Sequence, residues 1–361
     1  MESLQAEPNP EPTPEQSQGG PDGGGFHRSS VIRVGLLLVA IIGIAAAGIV
    51  IGKAIEPSSS SVSTSTTVAV TPVTTTTTTT TQHAAGSRGW GPLAVKVEGS
   101  FPAGGDRAGA ALAAKTLVVA GGTGSSRVLA GPASGTLVRV GALPGPRTAP
   151  IVFALGNTVY VVGGEAATTP TDAIFQLDTK TNKLVSGGTF EEPIAEAGVA
   201  ARGGSAYLVG GWTGTQYATA VLKFTPPSTV DLVGRLPVGV RSAAVVLLRN
   251  TLYVAGGRTA AGLSRRVFAV DIGSGAVTSL GQLPEAVSQA VLIEHGTKLY
   301  LLGGVDAAGD PVHKVISIDP ATGRPAAAGR MVHDLPGAAA PPTATGALVV
   351  DPPSGKVFRL G

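Results

Sequence analysis

Residues 251–259 read TLYVAGGRT, and four similar stretches occur elsewhere in the 361-residue chain. The others are TLVVAGGTG (116–124), TVYVVGGEA (158–166), AYLVGGWTG (206–214) and KLYLLGGVD (298–306). β-Branched and aromatic residues that lead into glycines are typical of a buried strand that ends where the backbone turns or approaches another backbone closely. The chain therefore repeats one strand, and the spacing of the copies defines the repeat.

The spacing of the glycine pairs indicates units of a constant length. The second glycines are 42 to 47 residues apart, at Gly122, Gly164, Gly211, Gly257 and Gly304. A proline step precedes every unit and occurs six times, at Pro102, Pro144, Pro193, Pro237, Pro284 and Pro336. In the sixth unit, a gap-free alignment of 329–352 with 188–211 places Asp351 and Pro352 where the glycine pair stands. Six units of about 45 residues fit the blades of a β-propeller.

Each unit is predicted to form four strands. A small-residue run such as RAGAALAA (107–114) comes first, and the strand that ends in glycines comes second. A polar loop leads to the third strand, which ends in an Asp turn as in VFAVDIGSG (267–275), and a fourth strand follows. Small side chains suit the crowded centre of a ring of blades. The glycine pairs suit positive φ or close backbone approach, and they are Gly121 and Gly122, Gly163 and Gly164, Gly210 and Gly211, Gly256 and Gly257, and Gly303 and Gly304.

The succession of an LP-x-x-R motif, a YVxGG motif and a strand that ends in Asp resembles the kelch repeat. This resemblance covers about three quarters of the chain. The third-strand Tyr and fourth-strand Trp usual in that family are replaced here mostly by aliphatic residues, so the resemblance is to a divergent member. It implies an all-β, six-bladed kelch-type propeller over residues 90–361. Proteins of this family mostly bind proteins or carbohydrates, and a minority are enzymes.

The two ends of the repeat region are predicted to share one blade. LAVKVEGSFP (93–102) resembles a fourth strand, whereas KVFRLG (356–361) resembles a third strand. The N-terminal strand is therefore expected to complete the sixth blade, which also removes open sheet edges.

Three segments precede the repeats. Residues 1–30 are rich in Pro, Gly and Glu and are predicted to be disordered. VGLLLVAIIGIAAAGIVIG (34–52), within 31–55, is long and apolar enough to span a bilayer as a helix. The alternative is a cleaved signal peptide with Ala45–Ala47 at its cleavage site, but the preceding region is unusually long for one. Residues 56–89, with eight consecutive threonines, are predicted to be an extended stalk.

The charges beside the apolar segment predict its orientation. Arg28 and Arg33 precede it and only Lys53 follows, which favours a cytoplasmic N-terminus and an extracytoplasmic propeller. The expected partners are then the membrane, through 34–52, and a protein or glycan of the cell envelope. Nucleic acid is not expected, because the basic residues are scattered and lack interleaved aromatic residues.

No catalytic or metal-binding motif occurs in the sequence, and no cofactor or metal is predicted. The absence of cysteine excludes thiolate chemistry, including the Cys-linked Tyr of copper-radical oxidases built on similar propellers. The loops that join second to third strands and fourth to first strands should emerge on one face. An aromatic residue beside charged groups in a concave rim suits a small polar ligand. The predicted ligand-binding residues on this face are Arg107, Glu165, Trp212, Tyr217, Arg258 and Arg265.

Two functions are compatible with the sequence. The first is a membrane-anchored binding or scaffold module for a protein or carbohydrate. The alternative is a carbohydrate-active enzyme of the sugar mutarotase type, an activity that some six-bladed kelch propellers show. The two differ in their need for an acid/base pair, and no spacing in the sequence identifies one.

Overall fold

The computed structural model describes residues 93–102, 105–341 and 347–360, and this part of the chain is entirely β-structure and connecting segments. Its strands form six blades around a central channel, as predicted. Within these ranges no helix is present, and so none is long and apolar enough to cross a bilayer. The predicted disordered segment (1–30), membrane helix (31–55) and stalk (56–89) lie outside the described residues.

The strands are numbered in chain order. The first, β1 (Val95–Ser100), belongs to blade six. Blade one contains β2 (Gly109–Ala113), β3 (Thr116–Ala120), β4 (Arg127–Pro132) and β5 (Val138–Ala142). Blade two contains β6 (Ile151–Leu155), β7 (Thr158–Val162), the short hairpin β8 (Glu165–Ala166) and β9 (Thr169–Pro170), β10 (Ala173–Asp178) and β11 (Lys183–Thr189). Blade three contains β12 (Gly198–Arg202), β13 (Ser205–Val209), β14 (Ala220–Thr225) and β15 (Thr229–Arg235).

The remaining blades follow the same order. Blade four contains β16 (Ala244–Leu248), β17 (Thr251–Ala255), the short hairpin β18 (Arg258–Thr259) and β19 (Gly262–Leu263), β20 (Arg266–Asp271) and β21 (Val277–Gln282). Blade five contains β22 (Val291–His295), β23 (Lys298–Leu302), β24 (Lys314–Ile318) and β25 (Pro325–Arg330). Blade six contains β26 (Ala347–Asp351) and β27 (Lys356–Leu360), to which β1 is added. All neighbouring strands within a blade are antiparallel.

The hydrophobic core consists of six clusters, and each cluster lies between two adjacent blades. Five of them join consecutive blades from one to six. The remaining cluster packs Leu348 and Val350 of blade six against Leu117 and Val119 of blade one, which closes the ring. Since every blade has an apolar neighbour on both sides, the core is continuous around the channel.

The N-terminal strand closes the last blade, as the sequence predicts. β1 pairs with β27, from Val95 opposite Leu360 to Ser100 opposite Lys356. Glu98 and Arg359 form an ion pair across the two strands, with Nε and Oε1 2.6 Å apart. Leu93 and Phe101, on either side of β1, are buried. The first and last strands of the propeller are thus held together without a covalent link.

The glycine pairs connect each of blades one to five to the blade that follows. Both glycines of each pair have positive φ, as predicted. The second glycine donates its N–H to a carbonyl in the loop that enters the next blade, as in Gly164 to Ile194 (2.9 Å) and Gly211 to Val240 (2.8 Å). A Cβ on the first glycine would collide with the same carbonyl oxygen, for example Gly163 with Ile194. The motif therefore recurs because blades must approach closely at this point.

Blade six keeps the register of the repeat but not its glycines. Ala339 and Val350 exchange backbone hydrogen bonds of 2.9 and 2.8 Å, in the register that pairs Ile151 with Val162 in blade two. Asp351 therefore occupies the position of the first glycine, which confirms the alignment made from the sequence. A turn of only four residues, 352–355, then leads directly into β27.

Candidate functional site

One residue from each blade lies at the mouth of the channel. In each blade this residue stands two positions before the first residue that pairs with the second strand. These six residues have φ between +49° and +66° and form what we call the mouth ring: Arg107, Ala149, Glu196, Ser242, Gln289 and Gly337. From Ala149 onward, each member donates its backbone N–H to the carbonyl of the preceding member, at 2.8 to 3.2 Å. Five hydrogen bonds thus join the six blades at this level.

The mouth ring surrounds a cavity of about 210 Å³, which we call the mouth cavity. Its polar lining consists of Arg107, Glu196, Ser242 and Gln289. Its deeper walls come from the first strands, which contribute mainly Ala, Val, Ile and Leu. The cavity is therefore apolar below and bears hydrogen-bonding groups at its rim.

Glu196 is the centre of the charged groups at the rim. Its side chain is only 6% exposed and contacts the guanidinium groups of Arg107 and Arg241, the latter at 3.0 Å between Nη1 and Oε1. Ser242 donates its hydroxyl to the other carboxylate oxygen. Buried carboxylates are stable in the charged form only when paired in this way. The cluster thus fixes Arg107 and Ser242 at the edge of the cavity.

Glu165 lies beside this cluster, in the short strand β8. Its carboxylate is 3.9 Å from Nη1 of Arg107, and its side chain is 12% exposed. Burial raises the pKa of Glu165, the nearby charge of Glu196 raises it further, and Arg107 and Arg241 oppose both effects. With its pKa raised, Glu165 keeps its proton to a higher pH than an ordinary glutamate does.

Trp212 and Tyr217 support the same cluster from the loop of blade three. Their rings lie 5.2 Å apart, and their backbones pair across the loop. The guanidinium carbon of Arg241 lies 5.5 Å from the Trp212 ring and 5.3 Å from the Tyr217 ring, within cation–π distance. Neither aromatic residue lines the mouth cavity. In this arrangement the aromatic pair positions Arg241, which in turn holds Glu196.

The predicted ligand-binding residues fall into three groups. Arg107 lines the cavity, whereas Glu165, Trp212 and Tyr217 lie in the surrounding cluster. Arg258 occupies the same repeat position as Glu165 and Trp212, and its backbone pairs with Arg241. Arg265 does not line the mouth cavity, and its Nε donates to the carbonyl of Leu283 at 2.7 Å. This hydrogen bond holds the segment through which the chain enters blade five.

Four residues of the site were not identified from the sequence: Glu196, Arg241, Ser242 and Gln289. Three of them could have been found by aligning the six units at the start of the first strand. Glu196, Ser242 and Gln289 align with Ala149 and Gly337, so polar residues occupy a position where small ones suffice. Among the described residues, no group of three or more His, Asp or Glu side chains has the arrangement of a metal site.

The closed ring of six blades defines a six-bladed β-propeller, and the repeat pattern resembles the kelch repeat. The chain is similar in fold to the solved structure of a protein named YjhT, with a TM-score of 0.61. The two share 15% sequence identity, and the match covers 72% of this chain and 94% of that one. At this identity the similarity concerns the fold. No family model and no curated protein sequence matches the chain.

Proposed function

We propose that the propeller binds a carbohydrate and that the mouth cavity holds one sugar unit. The observation that carries this proposal is the combination of an apolar cavity of about 210 Å³ with a rim of both donors and acceptors. Small-molecule pockets typically measure roughly 300–1,000 Å³, so this one suits a single small ring. The kelch resemblance implies carbohydrate or protein ligands, and a concave cavity of this size favours the former.

The chemistry of the rim matches a polyhydroxylated ring. Arg107 supplies donors, Glu196 supplies acceptors, and the amide of Gln289 supplies both. The apolar walls suit the C–H faces of a sugar. Since Gln289 has no side-chain hydrogen-bond partner among the described residues, its amide is available to a ligand.

The test measures saccharide binding by the purified full chain in a detergent without a sugar headgroup. Gln289→Ala is expected to weaken binding about three- to tenfold, the range for one lost hydrogen bond. Gln216→Ala, an exposed glutamine whose side chain makes no hydrogen bond within the described ranges, is the control and should leave the Kd unchanged. Equal affinity of both variants and the unchanged protein would contradict the assignment of the site.

A sugar mutarotase activity is the second candidate, favoured by the environment of Glu165. Interconversion of anomers requires a proton to leave the anomeric hydroxyl and another to reach the ring oxygen. Glu165 and Glu196 lie on either side of Arg107, and the raised pKa of Glu165 suits the donor. Polarimetry of freshly dissolved α-glucose and α-galactose would show faster equilibration with the protein and loss of this effect in Glu165→Gln. An unchanged rate with a sugar that binds would exclude this candidate.

We also propose that the propeller is displayed outside the cytoplasmic membrane on its stalk. The apolar segment 34–52, the arginines before it and the Thr-rich stretch after it support this orientation. Protease added to cells whose outer barrier has been opened should release a fragment of about 270 residues, near the size of the repeat region. Protection of the propeller until the cytoplasmic membrane is lysed would contradict the orientation.

A further inference from the structure

The face of the propeller opposite the mouth, which we call the far face, carries basic residues around the end of the channel. The turns that join first to second strands lie at its centre, and the turns that join third to fourth strands lie further out. Among the described residues, four of the five central turns have a basic residue within or directly beside them, and none has an acidic one. The four are Lys115, Arg202, Arg249 and Lys298, and all are exposed.

The charges of these four residues are not neutralised by ion pairs. None of them forms an ion pair with another described residue. Nη1 of Arg202 donates to the backbone carbonyl of Arg249 at 3.0 Å, which brings two cations together across blades three and four. The exposed Glu294 precedes the turn of blade five, and Asp319 interacts electrostatically with Lys298. Positive charge remains in excess at the centre of the far face.

The outer turns of the far face add no net charge. Their aspartates accept hydrogen bonds within their own turns, as Oδ1 of Asp271 does from the N–H groups of Gly273 and Ser274. Basic and acidic residues are equal in number in and directly beside the described outer turns, and they are Lys180, Lys183 and Arg324, and Asp178, Asp271 and Asp319. The positive charge of the far face therefore comes from its centre.

The chain enters the propeller at the far face. β1 begins at Val95, which pairs with Leu360, and Leu360 pairs in turn with Ala347 at the start of a second strand. Second strands start at the far face because they follow the central turns. The residues before β1, which include the apolar stretch 34–52, thus join the propeller on the side that carries the excess positive charge.

We propose that the far face docks on the anionic phospholipid headgroups of the membrane in which 34–52 is anchored. This inference rests on the membrane anchor proposed above, and it adds an orientation in which the mouth cavity opens away from the membrane. Each Lys or Arg close to an anionic membrane surface strengthens binding about fivefold. Covalent attachment gives the propeller an effective concentration at the membrane in about the millimolar range, so a contact with a Kd of about 1 mM is strong enough.

The absence of cysteine allows a test with a single fluorophore on the full chain. Asn250→Cys places the fluorophore in a central turn of the far face, and Ala261→Cys places it on the mouth face of the same blade. Labelled chains in nanodiscs of phosphatidylcholine, with or without phosphatidylglycerol, are quenched with acrylamide. The fluorophore at 250 should be quenched less in the anionic discs, whereas the one at 261 should be quenched equally in both. The protection should disappear at about 1 M NaCl, where the Debye length is about 3 Å.

Substitution of the basic residues tests which surface docks. The far-face variant combines Arg202→Gln, Arg249→Gln and Lys298→Gln, and it should lower the ratio of docked to free propeller about fivefold for each charge removed. If this variant does not fold, Lys115→Gln with Lys298→Gln replaces it, because neither side chain makes a hydrogen bond with the described residues.

The matched control removes three exposed arginines at strand ends next to the mouth-face loops. It combines Arg235→Gln, Arg266→Gln and Arg330→Gln. Its net charge equals that of the far-face variant, and it should keep the full protection of the fluorophore at 250.

The outcomes separate the docking from the anchor. A chain that does not elute with the discs overturns the anchor and the docking together. Incorporation with equal quenching at 250 in both kinds of disc overturns the docking alone, and protection by added polygalacturonate would then identify a soluble polyanion as the partner. Protection that persists in the far-face variant overturns the assignment of the surface.

Discussion

At two repeat positions, backbone hydrogen bonds join neighbouring blades. At the glycine pair, an N–H of one blade reaches the next blade, and the close approach leaves no room for a Cβ. At the mouth ring, five non-glycine residues adopt positive φ, which costs an L-residue about 1–2 kcal/mol. The backbone hydrogen bonds that this conformation allows, each worth about 0.5–1.5 kcal/mol, offset the cost.

The glycine pair can be tested by separating backbone strain from collision. Gly156→Ala places a methyl at φ +64° in open space and should lower the free energy of unfolding by about 1–2 kcal/mol. Gly163 has a similar φ of +59°, but the methyl of Gly163→Ala would collide with the carbonyl of Ile194. This variant should therefore lower the free energy of unfolding by about 1–3 kcal/mol more than Gly156→Ala does. Urea unfolding of both variants measures the difference. Equal losses would show that close approach is not the reason for glycine.

Glu165 should make stability depend on pH. Because its pKa is raised in the folded protein, the folded state binds more protons than the unfolded state at pH values between the ordinary pKa near 4.5 and the raised one. The free energy of unfolding should therefore fall as pH rises through this window. Glu165→Gln should remove that fall, which urea titrations from about pH 4 to about pH 8 would detect. Parallel pH profiles of the two proteins would contradict the assigned environment.

At the scale of the elements, the sequence predicts the strands of blades one to five well because their pattern repeats. In blade six, three strands instead of the predicted four are present among the described residues, because only Ala339 pairs at the first-strand position. The strand β17, TLYVA, precedes a glycine pair, and such a pair is expected where the chain turns with positive φ close to the backbone of the next blade. The same pattern occurs in four other units. The ion cluster was not predicted, since Arg107, Glu196 and Arg241 belong to three different blades. Their proximity depends on the curvature of the ring, which no local pattern encodes. Arg265 does not line the mouth cavity, and its position in a loop does not by itself specify the direction of its side chain.

The loop of blade three should act as a support for Arg241. A double-mutant cycle with Trp212→Leu and Arg241→Leu, read from the free energy of unfolding in urea, tests this role. The two substitutions should show a coupling free energy of about 0.5–2 kcal/mol, the range for cation–π pairs. The exposed Arg235 serves as the control partner, and its pairing with Trp212→Leu should be additive. Additive effects for both arginines would show that the aromatic pair does not position Arg241.

At the scale of the whole molecule, the ring is closed by residues from the two ends of the repeat region. β1 completes blade six, and the cluster of Leu117, Val119, Leu348 and Val350 joins that blade to blade one. The sequence predicts this closure because a fourth-strand pattern stands at one end and a third-strand pattern at the other. The shape of the mouth depends on it as well, since Gly337 and Arg107 are neighbours only in a closed ring.

The closure is tested most directly by thermal unfolding of two fragments, one that starts at residue 88 and one that starts at residue 104. The shorter fragment lacks β1 and the buried Leu93 and Phe101, whose burial contributes about 1.5–3 kcal/mol each. It should melt about 10 °C lower or more, or aggregate through the open edge of β27. Addition of a peptide of residues 93–102 should restore part of the loss. Equal melting temperatures of the two fragments would contradict the closed ring.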